Sequence, residues 1–168
     1  MNETALTNGC LKEMKAHFGA DRKRIDHALK VLDYARAIQA VEGGDTRVVT
    51  AAAILHDVGI PASEAKYGSI DGPYQEEEGP PIAREILKRV GADDAVTDHV
   101  CDIIADHHSA KFMDTLEFRI LWDADWLVNI PNWYRDADEG KIRAVVRKVF
   151  KTGRGRAMAR EIFLGERG

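Results

Sequence analysis

Cysteine is scarce in this chain. Its two residues, Cys10 and Cys101, lie far apart in 168 and form no metal-binding pair. That argues against a disulfide framework and fits a reducing cytoplasm, which is the expected location. Long apolar runs are also missing: none approaches the roughly 20 residues needed to cross a bilayer. Met1 to Phe18 is polar and mixed in charge, without the apolar core of a signal segment. No membrane partner is expected. The net charge is only −4, with acidic residues spread along the chain and a locally basic end. General nucleic-acid binding is therefore not expected. No glycine-rich loop precedes a helix start, which argues against a kinase or P-loop enzyme. There is no internal repeat, low-complexity tract or linker, so the expectation is one domain over residues 1–168.

What is present is helical periodicity. Hydrophobic residues make up 45% and charged residues 31%, a soluble globular balance. Apolar spacing predicts helices over about Thr4–Phe18, Arg22–Glu42 and Asp45–His56, the second carrying Ile25, Ala28, Leu29, Leu32, Ala35 and Ile38. Ile60 to Pro81, with four of the five prolines, reads as a long irregular segment of the kind that is often functional. Helices are then predicted from Pro80–Pro81 to Gly91, over Ala95–His107, over Thr115–Val128 with Pro131 and Asn132 breaking it, and over Lys141–Phe163 with an interruption at Gly153 and Gly155. The fold class expected is an all-α, single-domain helical bundle.

The chemistry concentrates at the dipeptide His56–Asp57, which closes the apolar run Ala51 to Leu55. A carboxylate buried there needs a cation, a donor or water, and a divalent metal would satisfy both residues together. Other candidate ligands fall on other predicted helices: His27, the pair His107–His108, and two carboxylates in Leu121-Trp122-Asp123-Ala124-Asp125-Trp126-Leu127. Side chains converging from several helices are how a bundle builds a metal site. Mixed imidazole and carboxylate ligands suit Fe, Mn, Co, Ni or Zn better than Ca, and a carboxylate-rich site would also take Mg. Each residue has a plainer reading. A lone histidine is usually a hydrogen-bonded core or surface residue, and His107–His108 could be a solvated helix end. His17 and His99 have no comparable setting and read as structural. The force lies in the joint pattern.

That pattern resembles the H…HD…D signature of the HD-domain metal-dependent phosphohydrolases. The order of His27, His56–Asp57 and Asp-Ala-Asp-Trp-Leu matches, as does Ala-Ile-Leu-His-Asp-Val-Gly around the doublet; the resemblance covers about Arg24 to Asn129. It implies that His27, His56, Asp57 and one late aspartate hold a first metal. The Ala124-Asp125-Trp126-Leu127 context favours Asp125, leaving Asp123 as an outer partner. His107–His108 resemble the paired histidines that help bind a second metal in the binuclear relatives. Two departures stand out. Binuclear relatives have another histidine before the helix placed here at Pro80, where this chain reads Gln75-Glu76-Glu77-Glu78. Relatives also carry a lysine soon after the doublet, whereas the first one here is Lys66.

The implied function is hydrolysis of a phosphate ester or anhydride in a nucleotide or other small phosphorylated molecule. The metal would polarise the phosphoryl group and lower the pKa of a water. Asp57 could orient that water, and Glu76, Glu77 or Glu78 could act as general base. Lys66, Arg154 and Arg156 are the candidate substrate-phosphate contacts; most of the other basic residues near the chain's end read as a solvated helix face. Two other readings keep the same residues: a di-iron centre that activates oxygen, or a non-catalytic module that binds a nucleotide or protein. Trp126, Trp133 and Tyr134 could serve the core or an interface between copies of the chain.

Overall fold

Side-chain caps mark where most of the helices begin. Asn2, Asp21, Asp45, Asp93, Thr115, Asp138 and Thr152 each accept a hydrogen bond from a backbone N–H of the following turn. The structure, a computed structural model describing residues 1–167, has nine helices and no strand among the described residues. They are α1 (Glu3–Phe18), α2 (Arg22–Glu42), α3 (Thr46–Leu55), α4 (Ile60–Tyr67), α5 (Gly72–Val90), α6 (Asp94–Ile104), α7 (Leu116–Trp133), α8 (Glu139–Val149) and α9 (Gly153–Leu164). No helix among them is long and apolar enough to cross a membrane.

The short helix α3 is the centre of the bundle. Every residue from Val48 to Leu55 is buried, and α1, α2, α6 and α7 all pack against it. Its run of apolar residues, broken only by buried Thr50, follows from having neighbours all around rather than one wet face. Buried apolar side chains form one cluster running from Leu6 and Met14 on α1 to Met158 and Ala159 on α9. Because α3 ends inside this cluster, the residues that follow it, His56 and Asp57, are delivered to the interior.

Three segments differ from the sequence expectation, each because proline or glycine was read as a stop. Ile60 to Pro81 is not an irregular loop: it holds α4 and the first half of α5. Pro61 and Pro73 lie in the first turns of these helices, where a missing N–H does no harm. Pro80 and Pro81 sit well inside α5, so that helix does not begin at them. Just before them, Gly59 meets Gly79 so closely that a Cβ on Gly59 would stand 2.7 Å from the Gly79 nitrogen. This approach seats the turn after Asp57 directly on α5. In α7, Pro131 is inside the helix, which continues to Trp133. The final break falls between Val149 and Gly153, and Gly153 and Gly155 belong to α9 rather than interrupting it.

Candidate metal centre

Four side chains from three parts of the bundle bring donor atoms together around the imidazoles of His27 and His56. His27 comes from α2, His56 from the C-cap of α3, Asp57 from the residue after it, and Asp125 from α7. His27 Nε2 is 3.0 Å from Asp125 Oδ1 and 3.4 Å from both Asp57 Oδ2 and His56 Nε2. His56 Nε2 is 3.3 Å from Asp57 Oδ2 and 3.4 Å from Asp125 Oδ1. Donors bonded to a metal at roughly 2.0–2.2 Å stand about 3.0–3.5 Å from one another, so these separations are those of a ligand shell.

The backbone sets the histidine tautomers. His56 Nδ1 donates to the Ala53 carbonyl at 2.8 Å, and His107 Nδ1 donates to the Ile104 carbonyl at 2.7 Å. Each ring thus turns a lone-pair Nε2 inward, the arrangement by which an outer hydrogen bond orients a metal-binding imidazole. The Nε2 of His107 is buried with no hydrogen-bond partner, an orphaned acceptor that costs free energy unless something binds it. It lies 3.6 Å from Asp57 Oδ1. Asp57 therefore offers one oxygen to the His27–His56 side and the other to the His107 side. Two groups could hold a metal on this geometry: His27, His56 and Asp57, and Asp57, His107 and His108.

Electrostatics favour a cation here. Burial opposes ionising Asp57 and Asp125, but His56 and its neighbours hold Asp57 well below the usual carboxylate range, and His27 and His56 hold Asp125 below it. Burial likewise opposes a charge on His56, yet Asp57 and Asp125 keep its imidazole well above the ordinary value. Two buried, ionised carboxylates demand positive charge, which the His56 imidazolium supplies and a divalent metal would supply in its place. His108 is different. Burial, with His107 beside it, pushes it down to about 4, which leaves it neutral and able to bind a metal.

None of the remaining expected site residues reaches the centre. Glu76 accepts from the backbone N–H and hydroxyl of Ser109, bracing the turn after His108. Glu77 and Glu78 accept from the Tyr67 hydroxyl, and Lys66 pairs with Glu78 at 2.8 Å. Arg154 reaches Glu161, with its backbone N–H on Glu42, and the Arg156 guanidinium donates to the Phe150 carbonyl. None of these six lines the cavity beside the donor cluster. Asp123 does not act as an outer partner of the ligands either: it accepts from the N–H groups of Lys151 and Thr152 and from the Thr152 hydroxyl, at the start of α9.

Other residues near the centre escaped sequence reading. Gln75 accepts from His108 Nε2 at 3.1 Å while donating to the Ile70 carbonyl. It is the one member of the Gln75–Glu78 run that reaches the paired histidines. Asn129 donates to Asp125 Oδ1 at 3.0 Å. Asp106 accepts from the N–H groups of Lys111, Phe112 and Met113, fastening the turn that carries His107–His108, and these donors overcome burial to lower its pKa. The available signals were weak: an amide one turn after Asp125, and an aspartate directly before the histidine pair. A cavity of about 540 Å³ opens over His27, Asp57, His108 and Asp125 and is also lined by Lys23, Arg24 and Arg135. That volume lies within the roughly 300–1,000 Å³ usual for small-molecule sites.

The HD domain family model matches residues 24–130. The structure is similar to that of a predicted HD superfamily hydrolase from an uncultured Thermotogales bacterium, with a TM-score of 0.69 and 27% identity over 93% of this chain and 84% of that one. No curated protein matches significantly. The matched span contains all six candidate ligands, and the chain belongs to the HD-domain family.

Proposed function

We propose that the protein is a metal-dependent phosphohydrolase acting on a small phosphate ester or anhydride. The observation that carries this reading is that the His27 and His56 Nε2 atoms, 3.4 Å apart, each stand 3.0–3.4 Å from a carboxylate oxygen of Asp57 and one of Asp125. His27, His56, Asp57 and Asp125 would hold a first divalent metal. Asp57, His107 and His108 would hold a second, with Asp57 shared between the two. A bound metal would supply Lewis acidity, polarising a phosphoryl oxygen and lowering the pKa of a water. His56 and His107 keep their inward nitrogens as acceptors through their bonds to Ala53 and Ile104. Asp57 is the residue best placed to orient the attacking water, because it lines the cavity and has oxygens on both sides of the cluster. Glu76, Glu77 and Glu78 are occupied with Ser109, Tyr67 and Lys66, and they brace α4, α5 and the His108 turn instead.

The test is phosphate release from a panel of phosphate esters and anhydrides with Mn, Co, Ni, Zn or Mg. His56→Ala and Asp57→Ala should abolish both metal content and turnover while far-UV circular dichroism stays helical. Turnover surviving both changes would overturn the assignment. Elemental analysis of protein purified without chelator separates one metal per chain from two. Oxygen consumption by iron-loaded protein, with no phosphate release, would replace hydrolysis by oxygen chemistry.

A further inference from the structure

Cations line the cavity beside the donor cluster, and they come from two separate elements. Lys23 and Arg24 are in the first turn of α2, and Arg135 follows α7. Among the described residues none of the three has a carboxylate within ion-pairing distance, whereas Arg47, Arg84, Arg89 and Arg119 all do. An unpaired surface cation is ordinary; three facing one cavity are not. The first turn of α2 reads Arg22-Lys23-Arg24 and contains no acidic residue. A helix N-terminus is the positive end of the dipole and favours carboxylates, so helix stability alone would choose the opposite charge there. The placement makes sense if the positive potential serves the cavity.

The charge has to meet something other than the metal centre. A divalent metal would itself offset the carboxylates of Asp57 and Asp125 and bind one phosphoryl oxygen, which leaves the three cations for another anionic group. Outside the donor cluster the cavity lining holds one further carboxylate, Asp71, against the three cations. The balance is about that of a phosphate dianion, and the guanidinium forks of Arg24 and Arg135 suit phosphate oxygens. Resting on the phosphohydrolase reading, we infer that Lys23, Arg24 and Arg135 clamp a second phosphate of the substrate. The substrate class is thereby narrowed to compounds with two phosphate groups, linked as an anhydride or borne at two positions of one molecule.

The experiment is calorimetric binding of inorganic pyrophosphate to the metal-loaded protein, with metal content measured before and after. Arg135→Ala, and Lys23→Ala combined with Arg24→Ala, should each weaken binding by tenfold or more at unchanged metal content. Arg119→Gln, whose parent side chain pairs with Asp114 elsewhere, serves as the charge control and should bind as the wild type does. On a substrate with two phosphates the same clamp variants should raise KM more than they lower kcat. Affinities within twofold of wild type in both clamp variants, or no pyrophosphate binding by the wild type, would overturn the clamp. Tighter binding of malonate than of pyrophosphate would overturn its assignment to phosphate. Pyrophosphate binding that depends on the three cations, in a protein hydrolysing no phosphate compound, would sink the phosphohydrolase reading and leave the clamp standing. Active hydrolysis with binding indifferent to the cations would do the reverse.

Discussion

Asp123 and Asp125 stand two residues apart on α7, both buried, at 0% and 8% exposure, and they are held in opposite ways. A helix turns about 100° per residue, so the two carboxylates point to opposite sides. Asp123 meets hydrogen-bond donors only, two backbone N–H groups and a hydroxyl at 2.7–2.8 Å, which tie α7 to the start of α9. Burial outweighs those donors and raises its pKa. Asp125 meets imidazole nitrogens at 3.0 and 3.4 Å, and its pKa is lowered despite burial. Burial of a carboxylate is thus no sign of function by itself. Backbone and hydroxyl donors make a structural joint, and imidazoles, which can give up a proton, make a place for a cation.

The largest expected effect separates the two sites directly. Asp125→Ala should remove the first metal and, with it, Lewis-acid stabilisation worth several kcal/mol, or about a thousandfold in rate. Metal content and phosphate release check this, and far-UV circular dichroism should remain helical. Asp123→Ala should do the opposite. It leaves three donors without an acceptor, two of them on buried Thr152, a loss of about 3–5 kcal/mol. For a chain of this length that is a fall in melting temperature of roughly 6–20 °C. The protein that remains folded should still bind metal in full. If Asp123→Ala loses metal at unchanged stability, the division between the two aspartates is wrong.

Metal addition sharpens the same contrast at smaller amplitude. A metal at 100 times its dissociation constant stabilises the folded state by about 2.7 kcal/mol. The wild type and Asp123→Ala should both show the upward shift in melting temperature on titration with Mn or Co, and Asp125→Ala should show none. Gly155→Ala probes the structural side. A Cβ there would stand 2.3 Å from Asp123 Oδ2 and 2.8 Å from the Asp123 Cβ. Overpacking of this kind typically costs about 1–3 kcal/mol, and calorimetric melting should show it with metal content untouched.

The comparison also explains what the sequence could and could not reveal. The helices α1, α2, α3 and α6 were legible because apolar spacing and capping residues act locally. The candidate ligands His56, Asp57 and Asp125 stand out in the sequence because imidazoles and carboxylates are out of place after Ala51–Leu55 and within Leu121–Leu127, whereas His27 joins them only through the order of the H…HD…D pattern. The segment Ile60–Pro81 was not: its prolines look like breakers, and only the packing of Gly59 on Gly79 shows why helices run on either side of that contact. The role of Asp123 was hidden because its donors are backbone N–H groups 28 and 29 residues downstream, which carry no side-chain signature. Lys23, Arg24 and Arg135 carry no signal in the sequence because a single surface cation is ordinary; only the cavity brings them together. For the same reason Arg154 and Arg156 drew attention through flanking glycines whose real task is to start α9 beside Asp123.

The smallest expected effect tests whether Asp125 depends on its own support as Asp123 depends on its donors. Asn129 lies one turn after Asp125, and its side-chain N–H donates at 3.0 Å to Oδ1, the oxygen that also faces His27 and His56. Neighbours at this spacing share a helix face, so the bond fixes the carboxylate rotamer without linking distant elements. Asn129→Ala should weaken metal binding by about tenfold, the low end for an outer partner of a ligand, because the carboxylate can still turn towards the imidazoles. Competition with a chromogenic chelator gives the affinity, and melting of the metal-free protein gives the stability. A tenfold loss of affinity at unchanged metal-free stability would place Asn129 with the metal centre. A fall in metal-free stability as large as that of Asp123→Ala, at unchanged affinity, would make it part of the joint, and the two faces of α7 would no longer divide structure from chemistry.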